Sequence, residues 1–81
     1  MNVINALRDL RFEMKMDQND FAEFLGVNPS VYNRWEKNKQ QPSLEWALRI
    51  YLKTGKPIHE FILLMDNHNE NNLDEVVNKT D

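Results

Sequence analysis

Cysteine is absent from the 81-residue chain. No disulfide can form, and a thiol nucleophile or thiolate metal ligand is excluded; a reducing compartment is compatible with this. Histidine occurs twice, as His59 and His68. Neither has the placed partners that a Ser/His/Asp or Cys/His centre needs, so the expectation is a protein that is not an enzyme and needs no cofactor. Glycine is down to Gly26 and Gly55, and proline to Pro29, Pro42 and Pro57. No apolar run approaches the ~18 residues that a membrane span requires. The first residues, "MNVINALRDLRFE", lack the charged start, apolar block and small-residue cleavage site of a signal peptide. A soluble, cytoplasmic protein is expected, with no membrane partner. Strand-like alternation and internal repeats are also missing.

What remains is a small chain with charge sorted along it. The formal net charge is −3. Residues 66–81 carry Asp66, Glu70, Asp74, Glu75 and Asp81 against Lys79, and residues 9–23 are also acidic. Residues 34–56 hold Arg34, Lys37, Lys39, Arg49, Lys53 and Lys56 against Glu36 and Glu45. One basic segment in a bipolar domain suits a polyanionic partner, although ordinary mixed surface charge has the same composition.

Apolar spacing and stop signals predict five helices and no strand. Val3, Leu7, Leu10 and Met14 predict a helix over 2–14, with Asn2 as its cap. Asp17 caps a second helix, 18–25, with Phe21, Ala22 and Leu25 inward; Gly26 supplies the left-handed residue that ends it. Asn28 and Pro29 then open a third helix running to about Lys37. Asn38 follows it, a residue that tolerates left-handed geometry. Ser43 caps a fourth, 44–54, with Leu44, Ala47, Leu48 and Tyr51 on one side and Gly55 as its stop. Pro57 opens a fifth, 57–65, with Ile58, Phe61, Ile62 and Met65 inside. The expected organisation is one domain over 1–65 and a flexible, acidic, Asn-rich tail over 66–81. The tail segment "DNHNENNLDEVV" loosely suggests a calcium loop, but Asn71 stands where glycine is required and Val77 where the closing glutamate belongs. No metal site is expected.

The second and third helices are separated only by Gly26 and Val27, which forces a steep crossing and predicts a helix-turn-helix. On the third helix Val31, Tyr32 and Trp35 share one side. Pro29, Ser30, Asn33 and Arg34 occupy the other, where three- and four-residue spacing makes them neighbours. Arginine can fork onto guanine, asparagine onto adenine and serine onto either, while the Pro29 ring can touch a thymine methyl. Lys37 and Lys39 follow, placed for backbone phosphates. A wet, unoccupied helix face would show the same residue types.

From about Leu7 to Ile62 the chain resembles the lambda-repressor-like helix-turn-helix family, which includes Cro and the xenobiotic-response-element regulators. The residues that carry it are "LRDLR" at 7–11, Gln18, "FAEFLGV" at 21–27, "RWEKNK" at 34–39, "PSLE" at 42–45, "LRI" at 48–50 and Gly55. The resemblance implies an all-α, compact five-helix domain. It also implies a sequence-specific transcriptional regulator that inserts its third helix into the major groove of double-stranded DNA, as a homodimer on a near-palindromic operator. Pro29, Ser30, Asn33 and Arg34 then fall at or beside base-contact positions. Gln18, Asn28, Lys37 and Lys39 fall near phosphates. Tyr32 and Trp35 fall in the core, Ala22 must be small under the third helix, and Arg11 with Glu36 forms a structural ion pair. Asn38 departs from the family's usual glycine, Leu52, Thr54 and Lys56 depart near the fifth helix, and Phe12, Phe24 and Trp46 replace polar residues. Those three aromatics fit either partial burial in a small core or a surface for a protein partner; with the acidic tail, the second motivates an alternative: an interaction module on the same fold, such as an antitoxin or a regulator's partner.

Overall fold

A computed structural model describes residues 2–65. The order of elements is β1 (Asn2–Asn5), α1 (Leu7–Glu13), α2 (Gln18–Leu25), α3 (Pro29–Glu36), α4 (Leu44–Thr54), a 3-10 turn (Ile58–Glu60) and β2 (Ile62–Met65). The domain is therefore mostly helical, with four α-helices rather than five and a small antiparallel sheet that joins its first and last segments. The acidic tail expected over 66–81, with His68 and the calcium-like segment, lies outside the described residues.

The helices form where local signals are strongest. The Asp17 side chain accepts from the Asp20 N–H at 2.8 Å, and Gly26 closes α2 in the left-handed region at φ 85°. The Asn28 side chain accepts from the Ser30 N–H, also at 2.8 Å, and Pro29 is the first residue of α3. Ser43 caps α4 through the Trp46 N–H at 3.2 Å, and Gly55 ends it at φ 77°. Each cap satisfies a backbone donor or acceptor that the helix itself leaves unpaired.

Two expectations are corrected at the ends of the domain. The helix expected over 2–14 starts only at Leu7, because the Asn5 side chain accepts from the Leu7 N–H at 3.0 Å and sets the first turn there. Asn2, expected as the cap, lies in β1 instead. The helix expected over 57–65 shrinks to the 3-10 turn. A helix through Met65 would need the Phe61 carbonyl for the Met65 N–H, but that carbonyl accepts from Ala6 at 2.9 Å. Residues 62–65 extend instead and pair antiparallel with residues 2–5, Asn5 opposite Ile62 and Asn2 opposite Met65. Of the four residues expected inside the fifth helix, Phe61 is buried, Ile58 and Ile62 are half-buried, and Met65 is exposed.

The core holds Leu7, Leu10, Phe21, Ala22, Leu25, Val27, Tyr32, Trp35, Ala47, Ile50 and Phe61. Aromatic rings bind the helices to one another: Phe21 meets Tyr32 edge-on at 5.6 Å, and Trp35 meets Trp46 at 5.7 Å. Such edge-to-face pairs contribute beyond the area they bury. The buried side of α4 is a third correction. Ala47 and Ile50 face the core, whereas Leu44 is 73% exposed and Leu48 and Tyr51 are exposed beside it. Of the stripe chosen by spacing, Ala47 turns inward as expected, while Leu44, Leu48 and Tyr51 look outward.

Candidate nucleic-acid interface

The turn Gly26–Val27–Asn28 delivers the chain into α3 with its inner side committed. Tyr32 and Trp35 are fully buried, and Val31 is half-buried against the core. Their burial turns the other side of the helix outward. Pro29, Ser30 and Arg34 are exposed, and Asn33 is half-buried beside them. All four candidate base-reading residues thus share one accessible face.

The candidates are not equally free. Arg34 lies back along the surface, its Nε donating to Gln40 Oε1 at 3.0 Å. Asn33 Nδ2 donates to Gln18 Oε1 at 2.9 Å, which ties α3 to the start of α2. Asn28 is exposed with its side-chain oxygen engaged in the cap. Lys37 and Lys39 are exposed just past the end of α3. Gln18 is half-buried, and its Nε2 donates to Glu36 Oε1 at 3.0 Å.

Behind this face sits the expected pair of Arg11 and Glu36. Arg11 Nε donates to Glu36 Oε2 at 2.6 Å and its Nη2 to Oε1 at 3.2 Å, with both side chains nearly out of solvent. The remaining Arg11 nitrogen donates to the Met16 carbonyl at 3.1 Å. The Tyr32 hydroxyl also donates to Glu36 Oε2, at 2.5 Å. Burial is the largest influence on the Glu36 carboxyl and would raise its pKa. Hydrogen bonds from Arg11, Tyr32 and Gln18, with the Arg11 charge, outweigh it and hold the group below the usual carboxylate range. The Glu36 hydrogen bond, ahead of burial, keeps Arg11 firmly charged. Burial, and then its bond to Glu36, drives the Tyr32 phenol upward, so it stays protonated and donates.

The end of α3 holds a group that spacing did not reveal. Asn38 adopts φ 57°, the left-handed geometry expected of it. Its side chain then does something a glycine there could not. Asn38 Oδ1 accepts from the Asn5 N–H at 2.8 Å, and Asn38 Nδ2 donates to the Asn5 carbonyl at 3.3 Å. The buried Asn5 amide in turn donates to the Trp35 carbonyl at 2.8 Å and to Gln41 Oε1 at 2.7 Å. A polar residue set inside the apolar run "VINAL" is the one sequence signal that marks Asn5.

The three departing aromatics sit differently from one another. Phe12 is 54% exposed, with the Arg8 and Arg11 guanidinium groups against its ring. Phe24 and Trp46 are half-buried and packed on the core, under Lys53 and Arg49 respectively. Among the described residues there is no group of three or more His, Cys, Asp or Glu placed to hold a metal, and no helix long and apolar enough to cross a membrane.

Comparison with known proteins agrees with this geometry. The cryptic phage CTXphi transcriptional repressor RstR of Vibrio cholerae is 35% identical over 71 residues, covering 88% of this chain and 60% of that protein. The chain thus spans about 60% of the length of that relative. The family model described as helix-turn-helix matches residues 7–61, which takes in α1 to α4 and the 3-10 turn. The chain belongs to the Cro/C1-type, lambda-repressor-like helix-turn-helix family.

Proposed function

We propose that the chain is a sequence-specific DNA-binding transcriptional regulator that acts as a repressor, laying α3 in the major groove. The observation that carries this reading is the outward face of α3, where Ser30, Asn33, Arg34 and the Pro29 ring lie together over a buried Tyr32 and Trp35. Arg34 and Asn33 are residue types that fork onto guanine and adenine, Ser30 adapts to either, and Pro29 offers only apolar contact. Lys37, Lys39, Gln18 and Asn28 sit around that face at the ends of α2 and α3 and would fix its position on phosphates. The similarity to a protein named as a transcriptional repressor supports the same reading.

Two copies on a near-palindromic operator would place their α3 helices about one helical turn apart. The exposed stripe of Leu44, Leu48, Tyr51 and Leu52 on α4 supports a dimer, since a second copy could cover it. Repression follows if the bound dimer blocks polymerase.

Selection from random duplexes, followed by footprinting, tests both points. A palindromic consensus is the expected result. Arg34→Ala should relax preference at one base pair per half-site and cost ~1–3 kcal/mol on the consensus. Lys37→Ala should weaken all duplexes alike and flatten the salt dependence. Enrichment of no duplex, with no salt-dependent affinity, would remove the proposal.

A further inference from the structure

We infer that Glu36, acting through Gln18, fixes which way the Asn33 amide faces and so which base Asn33 selects. The inference rests on the reading of α3 as the DNA-recognition helix. Glu36 is held as a carboxylate by Arg11 and Tyr32, and a carboxylate only accepts hydrogen bonds. Gln18 must therefore turn its NH2 end to Glu36, as the 3.0 Å bond from Nε2 to Oε1 records. Its oxygen is then committed to the other side. Asn33 meets that oxygen at 2.9 Å and can only donate to it. A reversed Asn33 would set two carbonyl oxygens against each other. The polarity of two amides, Gln18 and Asn33, is thus decided by one carboxylate.

What Asn33 has left is one N–H and the free lone pairs of Oδ1, in a fixed order along the outer face of α3. Adenine presents an N7 acceptor and an N6 donor in the major groove, which this pair matches. Guanine presents two acceptors, N7 and O6, against which a fixed Oδ1 is repelled. An asparagine free to turn can offer its NH2 to guanine as well. Glu36 and Gln18 therefore act as positioning residues: they need not touch the base, but they exclude the amide orientation that would tolerate the wrong one.

Duplex selection with wild type, Asn33→Ala, Gln18→Leu and Glu36→Gln tests this. Asn33→Ala locates the base pair concerned. Gln18→Leu leaves the pair of Arg11 and Glu36 in place and cuts the relay beyond it. Both Gln18→Leu and Glu36→Gln should lower the adenine-over-guanine preference at that base pair by about five- to hundredfold, the range a paired side-chain contact supplies. Preferences assigned to Arg34 should persist. If Gln18 only held a phosphate, its replacement would lower affinity for all duplexes and leave the preference alone, so the two effects separate. A second readout needs no DNA. Asn33→Asp opposes two acceptors and should lower the unfolding midpoint. In the Glu36→Gln background Gln18 can reverse, and that loss should largely disappear. If Glu36→Gln does not fold, Gln18→Leu still decides the matter by selection. Unchanged adenine preference in the variants overturns the relay while leaving DNA reading intact. Absence of any duplex preference in the wild type overturns the DNA reading, and the base choice inferred here with it.

Discussion

Asn38 joins the end of α3 to the start of the chain with one side chain. Its amide gives the Asn5 backbone both an acceptor and a donor, at 2.8 and 3.3 Å, as a neighbouring strand residue would. Glycine adopts φ 57° without a side-chain penalty, so Asn38→Gly removes the two bonds to Asn5, and the one that Asn38 Oδ1 accepts from Gln41 Nε2 at 2.8 Å, without adding backbone strain. Leaving the Asn5 N–H without its partner should cost about 1–3 kcal/mol, offset in part by the relief that glycine brings. Urea denaturation should show Asn38→Gly less stable than wild type. Equal or greater stability would mean the clip contributes nothing. The left-handed geometry of Asn38 was legible in the sequence because it belongs to the residue type. The clip was not, since its partner is 33 positions away. The outward set of Ser30, Asn33 and Arg34 was legible from helical spacing alone. The attachments of Arg34 to Gln40 and of Asn33 to Gln18 depend on rotamers that spacing does not reach.

Among the elements, α2, α3 and α4 were readable because their boundaries are set by local chemistry: a capping side chain at each start, and a glycine in the left-handed region after α2 and α4. The termini were misread for the opposite reason. "NVIN" and "ILLM" satisfy their backbones only across the sheet, and no local periodicity reports a partner sixty residues off. The face of α4 was read correctly at Ala47 and misread at Leu44, Leu48 and Tyr51, because two apolar sides compete on one helix. Ala47 and Ile50 won the core, leaving Leu44 and Leu52 roughly three-quarters exposed. That outcome is expensive for a lone domain and sensible for a shared one. Leu48→Ser combined with Leu52→Ser should change the stability of the single domain by no more than about 0.5 kcal/mol each, since neither side chain is in the core. Sedimentation of the wild type should show concentration-dependent dimers, and the double variant should shift toward monomer. A wild-type dimer unmoved by these changes would place the interface elsewhere.

For the whole molecule, Glu36 is the point where α1, α2 and α3 meet, through Arg11, Gln18 and its own helix. Folding lowers its pKa from an ordinary value of 4.5. The sign follows from that direction. Above the ordinary value both folded and unfolded chains hold the carboxylate, and the full stabilisation is present. As pH falls through the folded value the proton returns and that contribution is lost. Wild type should therefore lose denaturant midpoint progressively below about pH 4.5. Glu36→Gln should start lower at neutral pH and show a shallower acid slope. Parallel slopes would assign the acid sensitivity to other carboxyls. The amide clip has one more consequence, and it concerns how the chain comes together. Pairing Asn5 with Ile62 closes a loop over almost the entire described chain. Once Asn38 holds Asn5, the chain still to be closed is less than half as long. Each halving of a flexible loop lowers its closure entropy cost by roughly 0.6 kcal/mol. Asn38 thus shortens the reach of β2 to β1, and a contact between residues 5 and 38 eases the one between residues 5 and 62.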